Sequence, residues 1–306
     1  MKTSDNVPLW VAGHTLGTPH QRPADAVRLF HAAKLDGAEI IWQDDYRGGI
    51  PEHDNGAVLA DIRQACAETG LDVIGLTPYM TDLNSLDPAD RDRDLERFSR
   101  CLADAEQLGA GLVRVYAGSY TPDQVDERAS RWARLVESLT ELAPIAAGHG
   151  VVLVVENHFN TMTMTAAESQ ALVNDVSHPN VAILYDQANL TFTHGEDYHD
   201  AVRIQGGSIA HVHVKDLIFV DRERPFSASS VATVSGEERA VRSRVVGDGE
   251  LDWTAIMRDL LNTGYRGAVS LEYEYRWHPH DLPEPLEGFT RGAERIRAAM
   301  TEALTQ

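Results

Sequence analysis

Short apolar runs alternate along this chain with longer stretches whose apolar residues recur at three- and four-residue steps, the spacing of a helix with one buried face. Eight runs stand out, at residues 9–12, 38–42, 72–76, 112–116, 151–156, 181–186, 209–214 and 268–272. Five follow a glycine suited to ending a helix: Gly37, Gly70, Gly109, Gly150 and Gly267. The helical spacing predicts helices from Pro23 onward and over 91–108, 122–147, 165–176, 253–261 and 287–304, with Pro23 suited to a first turn. Strands alternating with helices predict a parallel sheet joined by helical crossovers. Eight such units fit a closed α/β barrel, the (β/α)8 TIM barrel, with 1–306 as a single domain. An open dinucleotide-binding sheet fits less well, because the first strand runs into Ala12-Gly13-His14-Thr15-Leu16-Gly17 and not into Gly-x-Gly-x-x-Gly.

Residues 219–247 break the rhythm. They are polar, rich in Ser and Arg, and lack a helical period, which predicts an inserted loop on the C-terminal face, where barrel active sites sit. A solvated loop, a lid and a subunit contact are all open at this point.

Composition narrows the function. The 306 residues carry 27 Lys+Arg against 47 Asp+Glu, a formal charge of −20, and no Lys/Arg-rich stretch, which argues against nucleic acid as a partner. No apolar run reaches the ~18 residues of a membrane helix, so no membrane span is expected. The first six residues lack the apolar stretch of a secretory signal. Only two cysteines, Cys66 and Cys101, are present, which argues against a disulfide framework and predicts a cytoplasmic protein. The motifs of serine nucleophiles, paired cysteines and phosphate-binding loops are missing as well.

The chemistry concentrates where four apolar runs end. The fifth closes on Glu156-Asn157-His158, the sixth on Asp186-Gln187-Ala188-Asn189, the seventh on His211-Val212-His213-Val214-Lys215, and the eighth on Glu272-Tyr273-Glu274. One charge at the end of a buried strand is an ordinary structural feature. Four on neighbouring strands of a parallel barrel converge on one point and are costly unless paired or bound to a cation. Glu156, Asp186, His213 and Glu272 form the best ligand set, oxygen-rich and suited to one six-coordinate divalent ion, with Mn²⁺ the first choice and Mg²⁺ or Co²⁺ the alternatives. A buried ionic network is the competing reading. Strand alternation puts His211, His213 and Lys215 on one face, which makes His211 a neighbour of the centre and sets Lys215 further out toward substrate. Asn189, Trp42, Arg114 and His14 are further candidates for substrate contact, Arg114 equally for a salt bridge to a rim carboxylate.

These stretches, together with Gly247-Asp248-Gly249-Glu250-Leu251-Asp252-Trp253 and Gly264-Tyr265-Arg266-Gly267, resemble the sugar phosphate isomerase/epimerase family of xylose-isomerase-like barrels, whose members include ketose 3-epimerases, inosose dehydratase and endonuclease IV. The resemblance runs over nearly the whole chain and is strongest from 151 to 275. It implies the same four metal positions. It departs at Asn189, where many members carry a histidine, and strands two and three lack the histidines that a multi-zinc endonuclease needs.

A divalent ion that chelates a carbonyl and its neighbouring hydroxyl stabilises the enediolate left when the intervening carbon loses a proton. Glu156 and Glu272, three strands apart, would then act as the acid/base pair of a sugar isomerase or epimerase, with Lys215 or His158 polarising substrate oxygens. The same chemistry permits elimination, so a metal-dependent lyase, a dehydratase or one cleaving a keto-glycoside, is the second reading. A non-catalytic sugar-binding barrel is the third, to be separated by metal analysis. The acidic surface favours a neutral ketose, keto-inositol or keto-glycoside as the small-molecule carbohydrate substrate. The resemblance also implies a homo-oligomer, a heteromeric partner over the mouth being the alternative.

Overall fold

The computed structural model describes residues 9–224 and 239–305. Eight parallel strands close into a barrel: β1 (Trp10–His14), β2 (Gly37–Trp42), β3 (Asp72–Pro78), β4 (Leu112–Val115), β5 (Val152–Glu156), β6 (Val181–Asp186), β7 (Ile209–Val214) and β10 (Ala268–Leu271). Around the barrel the order is β1-β10-β7-β6-β5-β4-β3-β2, so the chain winds once round and β10 closes on β1. Each of the eight apolar runs is one of these strands. They read as unbroken apolar stretches because a barrel strand is covered on both faces, by the interior and by the helices.

The outer layer holds α1 (Pro23–Ala32), α2 (Gly56–Thr69), α3 (Pro88–Leu108), α4 (Arg128–Gly148), α5 (Ala166–Val176), α6 (Gln187–His194), α7 (Tyr198–Gln205), α8 (Trp253–Asn262) and α9 (Pro285–Ala303). Three of these, α2, α6 and α7, were not among the predicted helices. The helix α2 buries only the narrow stripe Leu59, Ile62 and Ala65, and α6 and α7 are eight residues each, too short to show a period. Gly70 and Gly109 end α2 and α3 with φ of 77° and 70°, as expected. Gly37 and Gly267 do not play that part. Left-handed conformations after α1 and α8 fall instead on Lys34 (φ 62°) and Gly264 (φ 88°). Gly37 already lies in β2, where a Cβ would come within 2.9 Å of Ile74.

The segment expected to be a loop is partly sheet. Between β7 and α8, β8 (Asp216–Phe219) pairs antiparallel with β9 (Val241–Arg244) as a hairpin at the C-terminal end of β7; the remainder of the insertion, 225–238, lies outside the described residues. Asp216 secures its return. Its carboxylate accepts from the backbone N–H groups of Leu217, Gly247, Gly249 and Leu251 at 2.8–3.2 Å. That cradle explains the glycines of the 247–249 stretch: Gly247 has φ 82°, and a Cβ on Gly249 would sit 2.0 Å from an Asp216 oxygen. Among the described residues no helix is long and apolar enough to cross a membrane.

Candidate metal centre

Alternation along β7 turns His211 and His213 into the barrel, and Lys215 continues that face toward the mouth. The strand ends of β5, β6 and β10 bring Glu156, Asp186 and Glu272 to the same level. One ligand atom from each of Glu156, Asp186, His213 and Glu272 lies within 4.8 Å of the others, and all four residues are buried. The expected quartet is therefore assembled.

Each member is held by a distinct device. Asp186 ends β6 and begins α6: one carboxylate oxygen accepts from the Asn189 N–H at 3.0 Å as the helix cap, which leaves Oδ2 aimed at the centre. His213 Nε2 donates to Glu39 at 3.0 Å, which turns Nδ1 toward Glu156 (3.7 Å) and Glu272 (3.4 Å). Glu156 takes a salt bridge from Arg114 at 3.1 Å, and the Asn189 amide lies 3.4 Å from its other oxygen. Lys215 Nζ stands between Glu272 (2.7 Å) and Asp186 (2.9 Å).

The donor set fits a divalent ion. Among the described residues, Asp186 Oδ2 and His213 Nδ1 make no hydrogen bond of good geometry: they are buried at the centre facing only charged neighbours, Lys215 Nζ at 2.9 Å and Glu272 at 3.4 Å, although more than nine in ten buried polar groups are hydrogen-bonded. Four buried carboxylates (Glu39, Glu156, Asp186, Glu272) face two basic side chains, Arg114 and Lys215. With all four carboxylates ionised and the His213 imidazole neutral, as metal ligands require, a 2+ ion would balance the difference. The pairing of His213 with a carboxylate on its far nitrogen is also the arrangement that orients a metal-binding imidazole.

Charge states follow from the neighbours. Burial opposes ionisation of Glu272, yet Lys215 and His213 bring its pKa down to about 2. Glu156 is likewise held well below the usual carboxylate range, against burial, by His158, Arg114 and His213. Asp186 goes the other way: burial, with Glu272 and Glu156 close by, outweighs Lys215 and pushes it up to about 7. Against the cost of burial, Asp186 and Glu272 raise the Lys215 ammonium well above its ordinary value.

The remaining candidates divide. His158 is half-buried beside Glu156, with Tyr116 Oη 2.9 Å from its Nδ1. His14 is fully buried; its Nδ1 accepts from Leu16 N–H at 3.1 Å and its Nε2 lies 2.9 Å from Thr77 Oγ1. Arg114 adopts the salt-bridge role, sealed between Glu156, the Pro78 carbonyl and the rings of Tyr79 and Tyr116, so it is not free for a substrate anion. His211 sits one layer deeper than expected for substrate contact, 3.2 Å from Glu39 and fully buried. Trp42 is not at the mouth. It faces the helices, with its indole N–H donating to Asp104 of α3 at 2.8 Å, because β2 turns Glu39 inward and therefore Trp42 outward. Glu39 is the residue that sequence reasoning missed. A lone carboxylate in the apolar run 38–42 was its one signal.

Comparison with known proteins agrees with the fold. Residues 27–299 match the family model for the xylose isomerase-like TIM barrel. The chain is 30% identical over 224 residues to a D-psicose 3-epimerase of Agrobacterium fabrum, covering 71% of this chain and 69% of that protein. It is 28% identical over 191 residues to an inosose dehydratase of Halalkalibacterium halodurans, covering 58% and 61%. Matches to several further inosose dehydratases span about half the length of those proteins. A xylose isomerase-like barrel from Mycobacterium smegmatis, solved in complex with magnesium, superposes with a TM-score of 0.71 at 19% identity over 99% of this chain and 100% of that one. By its closed eight-stranded barrel and by the extent of the family match, the chain belongs to the xylose isomerase-like TIM barrel family.

Proposed function

We propose that the protein is a divalent-metal-dependent isomerase or epimerase acting on a ketose or related carbonyl sugar. One observation carries this reading: two buried carboxylates held ionised, Glu156 on β5 and Glu272 beside β10, stand three strands apart around one centre. Reversal of configuration needs two groups on opposite faces of a carbon, one to remove a proton and one to return it. A divalent ion held by Glu156, Asp186, His213 and Glu272 would supply Lewis acidity to a carbonyl and its neighbouring hydroxyl. Mn²⁺ is our assignment, with Mg²⁺ or Co²⁺ able to fill the same oxygen-rich set.

The side chains do the rest. Lys215, on the rim side of Glu272, donates to substrate oxygens and keeps that carboxylate charged. His158 reaches the same space from the Glu156 side, and the Asn189 Oδ1, buried without a partner, is free to accept from a substrate hydroxyl. Two of the relatives are named for an epimerase and a dehydratase, one from each of the two reaction classes this arrangement allows. Both Cys66 and Cys101 are free thiols, in keeping with a reducing cytoplasm.

Elimination is the second reading, favoured by Lys215: an ammonium touching the base Glu272 is placed to protonate a departing oxygen or carbon. NMR of the reaction in heavy water separates the two. Epimerisation incorporates deuterium at the carbon next to the carbonyl and yields a stereoisomer, whereas elimination yields an unsaturated product. Absence of exchange and of turnover with metal-loaded protein on a panel of ketoses, keto-inositols and keto-glycosides would remove both.

A further inference from the structure

The hairpin β8–β9 roofs a small, partly open cleft beside the centre. Lys215 and Glu274 form its inner end, so the cleft begins at the ammonium that touches Glu272 and Asp186. Its walls are of another character. Phe192 from α6, Leu217 and Phe219 from β8, and Val241 from β9 line it, and Phe192, Phe219 and Val241 are only half-buried. A free sugar can lay only a C–H face on such walls, and its hydroxyls find few partners there. An apolar group would remove them from water, each square ångström contributing on the order of 25 cal/mol.

The charges around the cleft select further. Arg239 is taken up by Asp281 at 2.7 Å. Glu274 accepts from Ser243 Oγ at 2.6 Å and adds negative charge at the inner end. Of the other charges that line the cleft, Arg224 is paired with Asp221 at 3.5 Å, Lys215 with Glu272 and Asp186, and Asp216 is held by its backbone cradle. Each charge is thus met within the protein, and an uncharged occupant leaves these pairs intact.

We propose that the substrate is a carbonyl sugar bearing an uncharged apolar substituent, the sugar facing the metal centre and the substituent lying in the hairpin cleft. This deepens the reading of the site as a sugar-enolising centre and rests on it. The substituent occupies the side on which Lys215 stands, so whatever bond joins it to the sugar lies within reach of that ammonium.

The test pairs two probes that differ only in the substituent, methyl and phenyl 3-keto-β-glucoside, on the full chain with Mn²⁺. Calorimetry should show the phenyl probe binding tenfold or more tightly. That preference should fall to twofold or less in Phe219→Ala, with Phe192→Ala as a second variant from a different element in case the hairpin does not tolerate the first. Equal binding of the two probes, no binding of either, or a preference untouched in both variants would overturn the proposal. Deuterium exchange on the same samples reports separately on the chemistry. Exchange without a phenyl preference sinks the cleft assignment alone, and a phenyl preference without exchange sinks the enolising reading while leaving the cleft as a binding site.

Discussion

The two flanks of the centre are built alike in charge and unlike in kind. On one, Glu156 is held by Arg114, a guanidinium 2% exposed and clamped between Tyr79 and Tyr116. On the other, Glu272 is held by Lys215, an ammonium at the inner end of the hairpin cleft. Both carboxylates are kept ionised. A guanidinium is a fixed charge that gives up no proton, whereas an ammonium can pass one on. In the proposed reaction the Arg114 flank serves as a rigid, permanently charged wall, and the Lys215 flank is the one able to exchange protons with substrate and solvent.

Removing either carboxylate's charge should have the greatest consequence. Glu156→Gln and Glu272→Gln should each slow deuterium exchange at the substrate α-carbon by about 10²–10⁴-fold, the span typical of losing a general base. For an epimerase the two variants should differ in which stereoisomer still exchanges, since each carboxylate serves one face. Equal, unselective exchange in both would mean that the flanks are not divided by face.

Next come the cations. Arg114→Met leaves Glu156 buried with its salt bridge gone and should cost about 3–5 kcal/mol in denaturant unfolding. Arg114→Lys should recover little, because the flat guanidinium stacks on two rings and reaches the Pro78 carbonyl as well. Lys215→Met should cost only about 1–2 kcal/mol, since Asp186, already pushed up to about 7, takes a proton and relieves the carboxylates. Its loss should appear in turnover instead. A Lys215 variant as unstable as Arg114→Met would erase the contrast.

How much of this could be read beforehand depends on whether a feature is local. The barrel strands announce themselves because double-sided burial writes an unbroken apolar run, and Glu156, Asp186, His213 and Glu272 stand out because each puts a charge at the end of such a run. Glu39 has the same signature but acquires its meaning from His213, across the barrel on a strand that is not its neighbour. No spacing in the sequence encodes that contact. Trp42 was misjudged for a related reason: without an anchor for which residues of β2 point inward, its parity is free, and the inward turn of Glu39 settles it. The hairpin escaped notice because β9, Val241-Arg242-Ser243-Arg244, has neither an apolar run nor a clean alternation.

Beneath both flanks, the floor supplies a pH signature. Burial lowers the His14 pKa from 6.5 to about 4, outweighing the pull of Glu39 and Glu272, so the ring stays neutral and adds no cation to either side. The unfolded chain binds a proton at this ring below pH 6.5, while the folded protein refuses it until about pH 4. Stability therefore falls as pH drops through that window and levels off below it, by about 3 kcal/mol from this group. Unfolding free energy measured from pH 7 to 4 should lose that part of its slope in His14→Gln. An unchanged slope would mean that folding leaves the ring's proton affinity unaltered, and a steeper one that His14 is charged and belongs to the Glu272 flank.

The smallest effect falls on Glu39, which serves both flanks through His213. Its carboxylate accepts from His213 Nε2 and lies 3.2 Å from His211 Nε2, and both imidazoles hold it ionised against the cost of burial. In Glu39→Gln the amide oxygen can still accept from one imidazole, but its NH2 then faces the other, so the orientation of His213 Nδ1 loosens. Metal affinity should weaken by about 10–100-fold, the cost typical of losing such an orienting partner. Because Glu39 contacts neither Glu156 nor Glu272, exchange at saturating Mn²⁺ should stay near that of the parent protein, with the same stereochemical preference. Titration of Mn²⁺ against exchange rate reads both quantities at once. A midpoint shift with an unchanged plateau identifies Glu39 as a positioning residue common to the two flanks, and a lowered plateau would show the floor acting in proton transfer on one of them.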